Sequence, residues 1–169
     1  WYALNAAGQD YHTDRGKGYD FYSVGRNRGV GGTGIWTGDS LVVSQPYANY
    51  RIYSDGPELL DFEVTYQPYK AGDVTIYEKK RIKMVLNTNF YQVTSTIETS
   101  DGSDAQLAVG VVDFGKGRVV ENAEAGLLSV MEQISEKDGE IVSAVIAKPD
   151  SVKEFASCGK DRLVILPVK

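Results

Sequence analysis

The regular alternation of short β-type segments with turn residues most constrains what this chain can fold into. The segment Leu59–Tyr66 (LLDFEVTY) spaces its apolar residues two apart, the period of a strand with one buried face. Turn residues flank it, with Ser54–Pro57 before it and Pro68 and Gly72 after it. Because such segments recur along the chain, we predict an all-β fold, an antiparallel β-sandwich of about ten strands without an ordinary helix.

Individual segments give more specific expectations. Leu107–Phe114 (LAVGVVDF) is almost continuously apolar, which predicts a strand covered on both faces. The charged run Glu78–Arg81 lies inside a predicted strand and is interpreted as a solvated face or as edge protection. Ser151–Ala156 is predicted to form a single helical turn. The other predicted strands are Leu41–Val43, Tyr50–Tyr53, Val74–Leu86, Phe90–Thr99, Leu127–Ile134, Ile141–Ala147 and Leu163–Leu166.

Length and charge limit the possible classes of function. At 169 residues, we expect a single domain over 1–169 with a glycine- and tyrosine-rich loop segment at 9–38. The net charge of −5 argues against a nucleic-acid partner, which usually needs a basic face. No run reaches the roughly 18 apolar residues of a membrane-spanning helix, and no cofactor motif or paired metal ligands are found. Because the chain begins at Trp1 and stops just after a predicted strand, we expect it to be part of a longer protein.

The candidate site lies in one stretch near the start of the chain. Gln9–Trp36 reads QDYHTDRGKGYDFYSVGRNRGVGGTGIW and holds the only histidine, His12, with three of the seven arginines. Its many polar, aromatic and glycine residues are unfavourable in a helix or a core strand. Glycines let a loop adopt positive φ and let the backbone approach a ligand closely. The stretch is therefore predicted to be a loop that carries the functional site.

Three phrases of the sequence resemble one protein family. The stretch YHTDRGKGYDFYSVGRNRGVGGTGIW is similar to the signature of a Bacteroidetes family long labelled a domain of unknown function. The phrases YRIYSDGPELLDFEVTYQPYKAG and VTIYEKKRIKMVL resemble the same family and, more generally, galactose-mutarotase-like β-sandwiches. Members of that family are about twice as long as this chain, which would then be a fragment of a larger sandwich.

The resemblance implies a function as well as a fold. It points to a secreted or periplasmic protein of a polysaccharide-utilisation system, because the family occurs among glycan-degrading enzymes. Some members act as dehydratases on oligosaccharides that contain uronic acids. The implied partner is an acidic oligosaccharide or polysaccharide, and the implied enzyme class is a carbon–oxygen lyase. Since one fold hosts many functions, the site must carry the argument.

The loop contains the residue types that elimination on a uronic acid requires. The proton beside the carboxylate must pass to a base, the developing enolate needs positive charge, and the leaving oxygen needs a proton. Histidine can act as base or acid, and the planar fork of arginine matches a carboxylate. We therefore predict four catalytic residues and six substrate-binding residues. They are His12, Tyr11, Tyr22 and Arg15, and Tyr19, Asp20, Arg26, Arg28, Trp36 and Arg51 respectively.

Two alternatives to a lyase remain open. The first is a non-catalytic carbohydrate-binding or accessory sandwich, in which the same loop forms a sugar-binding rim. The second is a glycoside hydrolase, which needs two carboxylates on either side of the scissile bond. Asp14 and Asp20 are the candidates for that role, although both lie in one loop.

Overall fold

The computed structural model describes residues 2–20, 22 and 24–168, and the regular secondary structure in this part of the chain is almost entirely β-strand. A five-residue helix, α1 (Tyr2–Ala6), and a 3-10 turn at Pro149–Ser151 are its helical elements. The strands are β1 (Val30–Trp36), β2 (Leu41–Val42), β3 (Tyr47–Asp55), β4 (Leu59–Tyr66), β5 (Tyr69–Ala71), β6 (Val74–Val85), β7 (Tyr91–Thr99), β8 (Ala105–Val112), β9 (Arg118–Asn122), β10 (Leu127–Ser135), β11 (Gly139–Ile146), β12 (Glu154–Cys158) and β13 (Asp161–Val168).

The strands form three sheets in which the pairings are antiparallel. Sheet A has the order β12-β13-β8-β1-β2, and sheet C has the order β11-β10-β9. Sheet B has the order β3-β4-β6-β5, with β7 paired to the other edge of β6. The predicted all-β, antiparallel, sandwich-like fold is therefore confirmed.

Sheet A carries buried residues on both of its faces. On one face, Leu107 packs against Ile76 and Ile97 of sheet B. Four positions further along the same strand, and so on the same face, Val111 packs against Leu128 of sheet C. Sheets B and C therefore cover the same face of sheet A side by side. The opposite face holds a second cluster of buried residues, formed by Trp36, Ala108, Leu163 and Ile165.

The predicted loop is shorter than expected, because Val30–Trp36 is a strand of sheet A. Its glycines are what allow it to pack there. A Cβ atom on Gly32 would lie 2.2 Å from the carbonyl oxygen of Arg28. A Cβ atom on Gly34 would lie 2.8 Å from both Leu41 Cδ1 and the carbonyl oxygen of Val42. Glycine thus marks a crowded core strand at these positions rather than a loop.

Two further expectations are wrong. Ser151–Ala156 is not a helical turn, because Glu154–Cys158 forms an antiparallel strand against β13 after the Pro149–Ser151 turn. The charged run of β6 is not simply a solvated face either. Glu78 is only 3 % exposed, because every second residue of β6 points towards sheet A.

Candidate functional site

The loop of residues 9–28 is organised by aspartate side chains that accept hydrogen bonds from its backbone. Asp10 accepts from the backbone N–H of His12 at 2.9 Å and from the Thr13 hydroxyl at 3.1 Å. The hydrogen bond from His12 is the main cause that lowers the pKa of Asp10. Asp20 accepts from the backbone N–H of Tyr22 at 2.9 Å, and its own N–H donates to the Tyr11 carbonyl. These turns bring residues 11 and 20 together at the base of the loop.

The exposed imidazole of His12 is held in one orientation by a backbone hydrogen bond. Its Nδ1 atom lies 2.6 Å from the carbonyl oxygen of Asp20. A carbonyl oxygen can only accept, so Nδ1 must carry the hydrogen. In the neutral ring, Nε2 is then the atom with the free lone pair. The Tyr11 ring lies beside the imidazole, with 4.4 Å between ring centroids and an angle of 37° between the planes.

The far side of the loop contacts the turn between β10 and β11. The Tyr19 hydroxyl donates to Asp138 at 3.0 Å, and Lys137 Nζ lies 3.2 Å from Asp14. An open cavity of about 270 Å³ lies between the two segments. The hydrogen bond to Asp138 is the main cause that raises the pKa of Tyr19. The cavity is lined by Asp14, Gly16, Gly18, Tyr19, Lys137 and Asp138.

The two carboxylates considered for a hydrolase are used to hold the loop. Asp14 accepts from the backbone N–H of Gly16 at 2.9 Å, and this bond, with the ion pair to Lys137, lowers the pKa of Asp14. A general acid needs the opposite shift, because it must hold its proton at the working pH. Asp14 is therefore poorly suited to protonate a leaving group.

The hydroxyl of Tyr22 lies in the interior. Burial raises the pKa of Tyr22, the nearby Ser143 hydroxyl opposes that shift, and the charges of Glu132 and Asp161 add to it. Among the described residues, no partner makes a hydrogen bond of ordinary geometry to the buried Tyr22 Oη atom. A buried hydroxyl without a partner costs stability.

Arg28 and Trp36 serve the fold. The backbone N–H of Arg28 donates to Asp161 Oδ1 at 2.6 Å, and its guanidinium reaches the backbone carbonyls of Thr33 at 3.5 Å and Arg26 at 3.3 Å. Trp36 is only 8 % exposed in the core of sheet A, so its ring has little surface to offer a sugar. Arg15 and Arg26 are exposed in the loop, and Arg15 lies close enough to Asp10 to contribute to the lowering of its pKa.

Arg51 lies on sheet B, away from the turn of sheet C that the loop contacts. Its side chain is on the face of β3 that points away from sheet A, with Cζ 5.0 Å from the centroid of the Tyr53 ring. Arg81 of β6 approaches the same ring at 4.4 Å. The structure therefore does not bring the predicted site residues together. Most of them lie in the loop around His12, Trp36 is in the core, and Arg51 is the one predicted residue on sheet B.

Sequence reasoning missed a polar cluster between sheets A and B. Glu78 accepts from the Thr33 hydroxyl at 3.1 Å and from the Tyr69 hydroxyl at 3.0 Å, and Lys80 Nζ lies 3.1 Å from the same carboxylate. Lys80 also donates to the Tyr66 hydroxyl at 3.2 Å. Burial, followed by the charge of Glu78, raises the pKa of Tyr69. The sequence did indicate that Glu78 and Lys80 face the interior, because they lie two and four residues after the buried Ile76 on the same strand.

The described part of the chain has neither a metal-ligand cluster nor a helix suited to a membrane. Among residues 2–20, 22 and 24–168, no group of three or more His, Cys, Asp or Glu side chains is placed to hold a metal ion. In the same residues, no helix has the length and apolar character needed to cross a membrane.

Comparison with known proteins places the chain in a family. It is 32 % identical over 149 residues to a protein of Formosa agariphila called "Uncharacterized protein P7". The match covers 87 % of this chain but only 36 % of that relative, so the chain spans about a third of the relative's length. No solved structure matches. The family model described as "Domain of unknown function (DUF4861)" matches residues 1–165, and the chain therefore belongs to this family.

Proposed function

We propose that this protein acts on acidic oligosaccharides and that the His12 loop performs acid–base elimination on a uronic acid unit. The observation that carries the proposal is the hydrogen bond of 2.6 Å between His12 Nδ1 and the carbonyl of Asp20. It leaves Nε2 as the proton acceptor of an exposed imidazole, which is what a general base requires.

The elimination would use three side chains of the loop. The proton on the carbon beside the carboxylate passes to His12 Nε2, and the electron pair of that C–H bond forms a carbon–carbon double bond. The bond from the neighbouring carbon to oxygen breaks, and the Tyr11 hydroxyl supplies a proton to the departing oxygen. Arg15 pairs with the carboxylate, whose negative charge increases as the proton leaves.

A binding protein without catalysis is the second candidate. The open cavity of about 270 Å³ between the loop and the β10–β11 turn favours it. A shallow cavity with a tyrosine and several charged groups on its rim suits the edge of a saccharide more than it suits a sequestered reaction. On this reading Tyr19 and Lys137 contact the sugar, and no product forms.

Formation of an unsaturated product separates the two candidates. The protein is incubated with uronate oligosaccharides while the ultraviolet absorbance of the conjugated, unsaturated uronate is followed. We expect this absorbance to rise with the unaltered protein and with Lys17→Ala, a control that removes an exposed cation from the same loop. His12→Gln should reduce the rate by at least about 100-fold, the usual contribution of a positioned general base.

Two outcomes would contradict elimination at His12. A His12→Gln variant that is as active as the unaltered protein would eliminate His12 as the base. Saturable sugar binding by calorimetry, with no rise in absorbance for any uronate substrate, would leave the binding protein as the function.

A further inference from the structure

The outer face of sheet B, defined as the face that points away from sheet A, carries a second polar surface. On β6 the residues that alternate with the buried Ile76 are Tyr77, Lys79, Arg81 and Lys83. A cavity of about 430 Å³ opens on this face, within the range of small-molecule sites. Its lining includes Asn49, Thr65, Gln67, Tyr77, Lys79 and Glu98.

Strand register aligns the residues of this face in two rows. The floor of the cavity is a row across four strands, in which Asn49, Thr65, Lys79 and Thr96 are successive partners. Two positions further along each strand, Arg51, Glu63, Arg81 and Thr94 form the next row. Because two residues of a strand span about 7 Å, a ligand larger than one sugar ring can contact both rows.

The second row contains a fixed arrangement of arginine and tyrosine. Arg81 donates two hydrogen bonds of 2.8 Å to Asp61, one to each carboxylate oxygen. Lys83 Nζ lies 3.7 Å from the same carboxylate. These contacts hold the Arg81 guanidinium at 4.4 Å from the centroid of the Tyr53 ring.

Of the two arginines on the described part of this face, Arg51 is the one that remains available to a ligand. Its Cζ atom lies 5.0 Å from the centroid of the same Tyr53 ring, and the residue is exposed on β3. Among the described residues, no carboxylate lies within ion-pair distance of its guanidinium. Its planar donors therefore stay free to bind a carboxylate in the bidentate manner that guanidinium favours.

The charge of this face differs from that of the whole chain. Five cations face three carboxylates on the described strands, so the face is net positive on a chain with a net charge of −5. An acidic ligand would thus be attracted to this surface in preference to the rest of the molecule. The cations are Arg51, Lys70, Lys79, Arg81 and Lys83, and the carboxylates are Asp61, Glu63 and Glu98.

The uncharged groups of the cavity indicate the rest of the ligand. Amides at Asn49 and Gln67 and hydroxyls at Thr65 and Thr96 can each donate and accept hydrogen bonds, as ligands rich in hydroxyl groups require. The exposed ring of Tyr77 adds an aromatic surface beside them. We propose that the outer face of sheet B binds an acidic oligosaccharide, with its hydroxyl groups in the cavity and a carboxylate on Arg51. The proposal does not depend on elimination at the His12 loop, since it concerns other residues on another sheet.

Calorimetric titration with a defined oligogalacturonate tests this inference. We expect saturable binding by the protein and a loss of affinity of about tenfold in Arg51→Ala, because a charge-assisted bidentate contact disappears. Arg118→Ala is the matched control, since it removes an arginine from the edge strand β9 of sheet C. It should bind like the unaltered protein, and circular dichroism should show both variants folded.

Further titrations distinguish this face from the loop and test the choice of anion. Lys17→Ala, which removes an exposed loop cation that has no assigned role in catalysis or binding, should retain the affinity of the unaltered protein. A neutral oligosaccharide of equal length should bind at least about tenfold more weakly than the acidic one. Equal affinity of Arg51→Ala and the unaltered protein, or no saturable binding at all, would overturn the proposal. Binding of a sulfated but not a carboxylated oligosaccharide would overturn the assignment of carboxylate as the recognised group.

Discussion

Lys80 and Glu78 form an ion pair on the buried side of sheet B, with 3.1 Å between Nζ and Oε1. Their side chains are only 13 % and 1 % exposed. Glu78 also receives the hydroxyl hydrogens of Thr33 from sheet A and of Tyr69 from sheet B, so one carboxylate joins the two sheets. A buried charge needs this degree of satisfaction, because desolvation would otherwise outweigh the attraction between the ions.

Lys80→Met is expected to destabilise the protein strongly. The substitution leaves the Glu78 carboxylate buried with hydroxyl donors but without its cation, and breaking a buried pair from one side costs about 3–5 kcal/mol. Urea denaturation at neutral pH measures the change in the free energy of unfolding. Lys79→Met is the matched control, because Lys79 lies on the exposed face of the same strand, and it should cost less than about 0.5 kcal/mol.

The double variant Glu78→Gln/Lys80→Met should recover most of the loss. A neutral amide can still accept a hydrogen bond from Tyr69 or Thr33, and no unpaired charge remains. If Lys80→Met is as stable as the unaltered protein, the ion pair does not exist in solution as described.

Asp161→Asn is expected to stabilise the protein at neutral pH. Asp161 is buried, and burial raises its pKa even though its carboxylate accepts a hydrogen bond from the backbone N–H of Arg28. The folded state therefore binds more protons than the unfolded state between the ordinary and the raised pKa, and the protein loses stability as pH increases through that window. Asparagine keeps an acceptor for Arg28 and removes the charge, so its advantage should disappear below the ordinary pKa of aspartate.

Asp113→Asn should show the opposite dependence on pH. Burial alone would raise the pKa of Asp113, but the hydrogen bonds from the Gly115 N–H and Arg162 outweigh it and lower the pKa. Such a carboxylate stabilises the fold above the ordinary pKa, and its contribution is lost as pH falls through the lowered pKa. Thermal unfolding over a pH series measures both variants. Destabilisation by Asp161→Asn at neutral pH would contradict the burial argument.

Gly110→Ala is expected to destabilise the centre of sheet A by about 1–3 kcal/mol, the usual cost of overpacking. Its Cβ atom would lie 2.6 Å from Arg28 Cβ and 3.2 Å from Leu163 Cδ2, so both neighbours would have to move. Gly56→Ala provides the comparison, because its nearest neighbour would be Ser54 Oγ at 3.8 Å, and the change should stay within about 0.5 kcal/mol. Equal stability of the two alanine variants would show that Arg28 does not pack on Gly110.

Alternating apolar residues and the turn residues beside them predicted several strands correctly. Leu59–Tyr66 is β4 to the residue, and the strand pair around Lys137–Gly139 is β10 and β11, because alternation and turn residues act over short distances. Val30–Trp36 was not predicted as a strand. Its glycines are required because atoms of Arg28, Leu41 and Val42 occupy the space that a Cβ atom would need, and these contacts are known only from the structure. Tertiary contacts thus override a low propensity for strands.

The contacts of the candidate site also depend on parts of the chain that a local sequence pattern does not describe. The polar, aromatic and glycine residues around His12 could be recognised in the sequence. The hydrogen-bond partner of its ring is the backbone carbonyl of Asp20, which no residue pattern reveals. Glu78 and Lys80 were assigned to the solvent because charged residues are mostly exposed, although their spacing from Ile76 places them inside. Burial of a charge becomes evident only when the facing sheet and its donors are known.

The tautomer of His12 tests the central claim most directly, since Nε2 can act as a base only if Nδ1 carries the hydrogen. The chain has a single histidine, so the imidazole signals in a long-range proton–nitrogen NMR spectrum need no assignment. At a pH where titration shows the ring to be neutral, the account predicts a protonated Nδ1 and an unprotonated Nε2. A neutral ring with its hydrogen on Nε2 would contradict the hydrogen bond to Asp20 and, with it, the proposed role of His12.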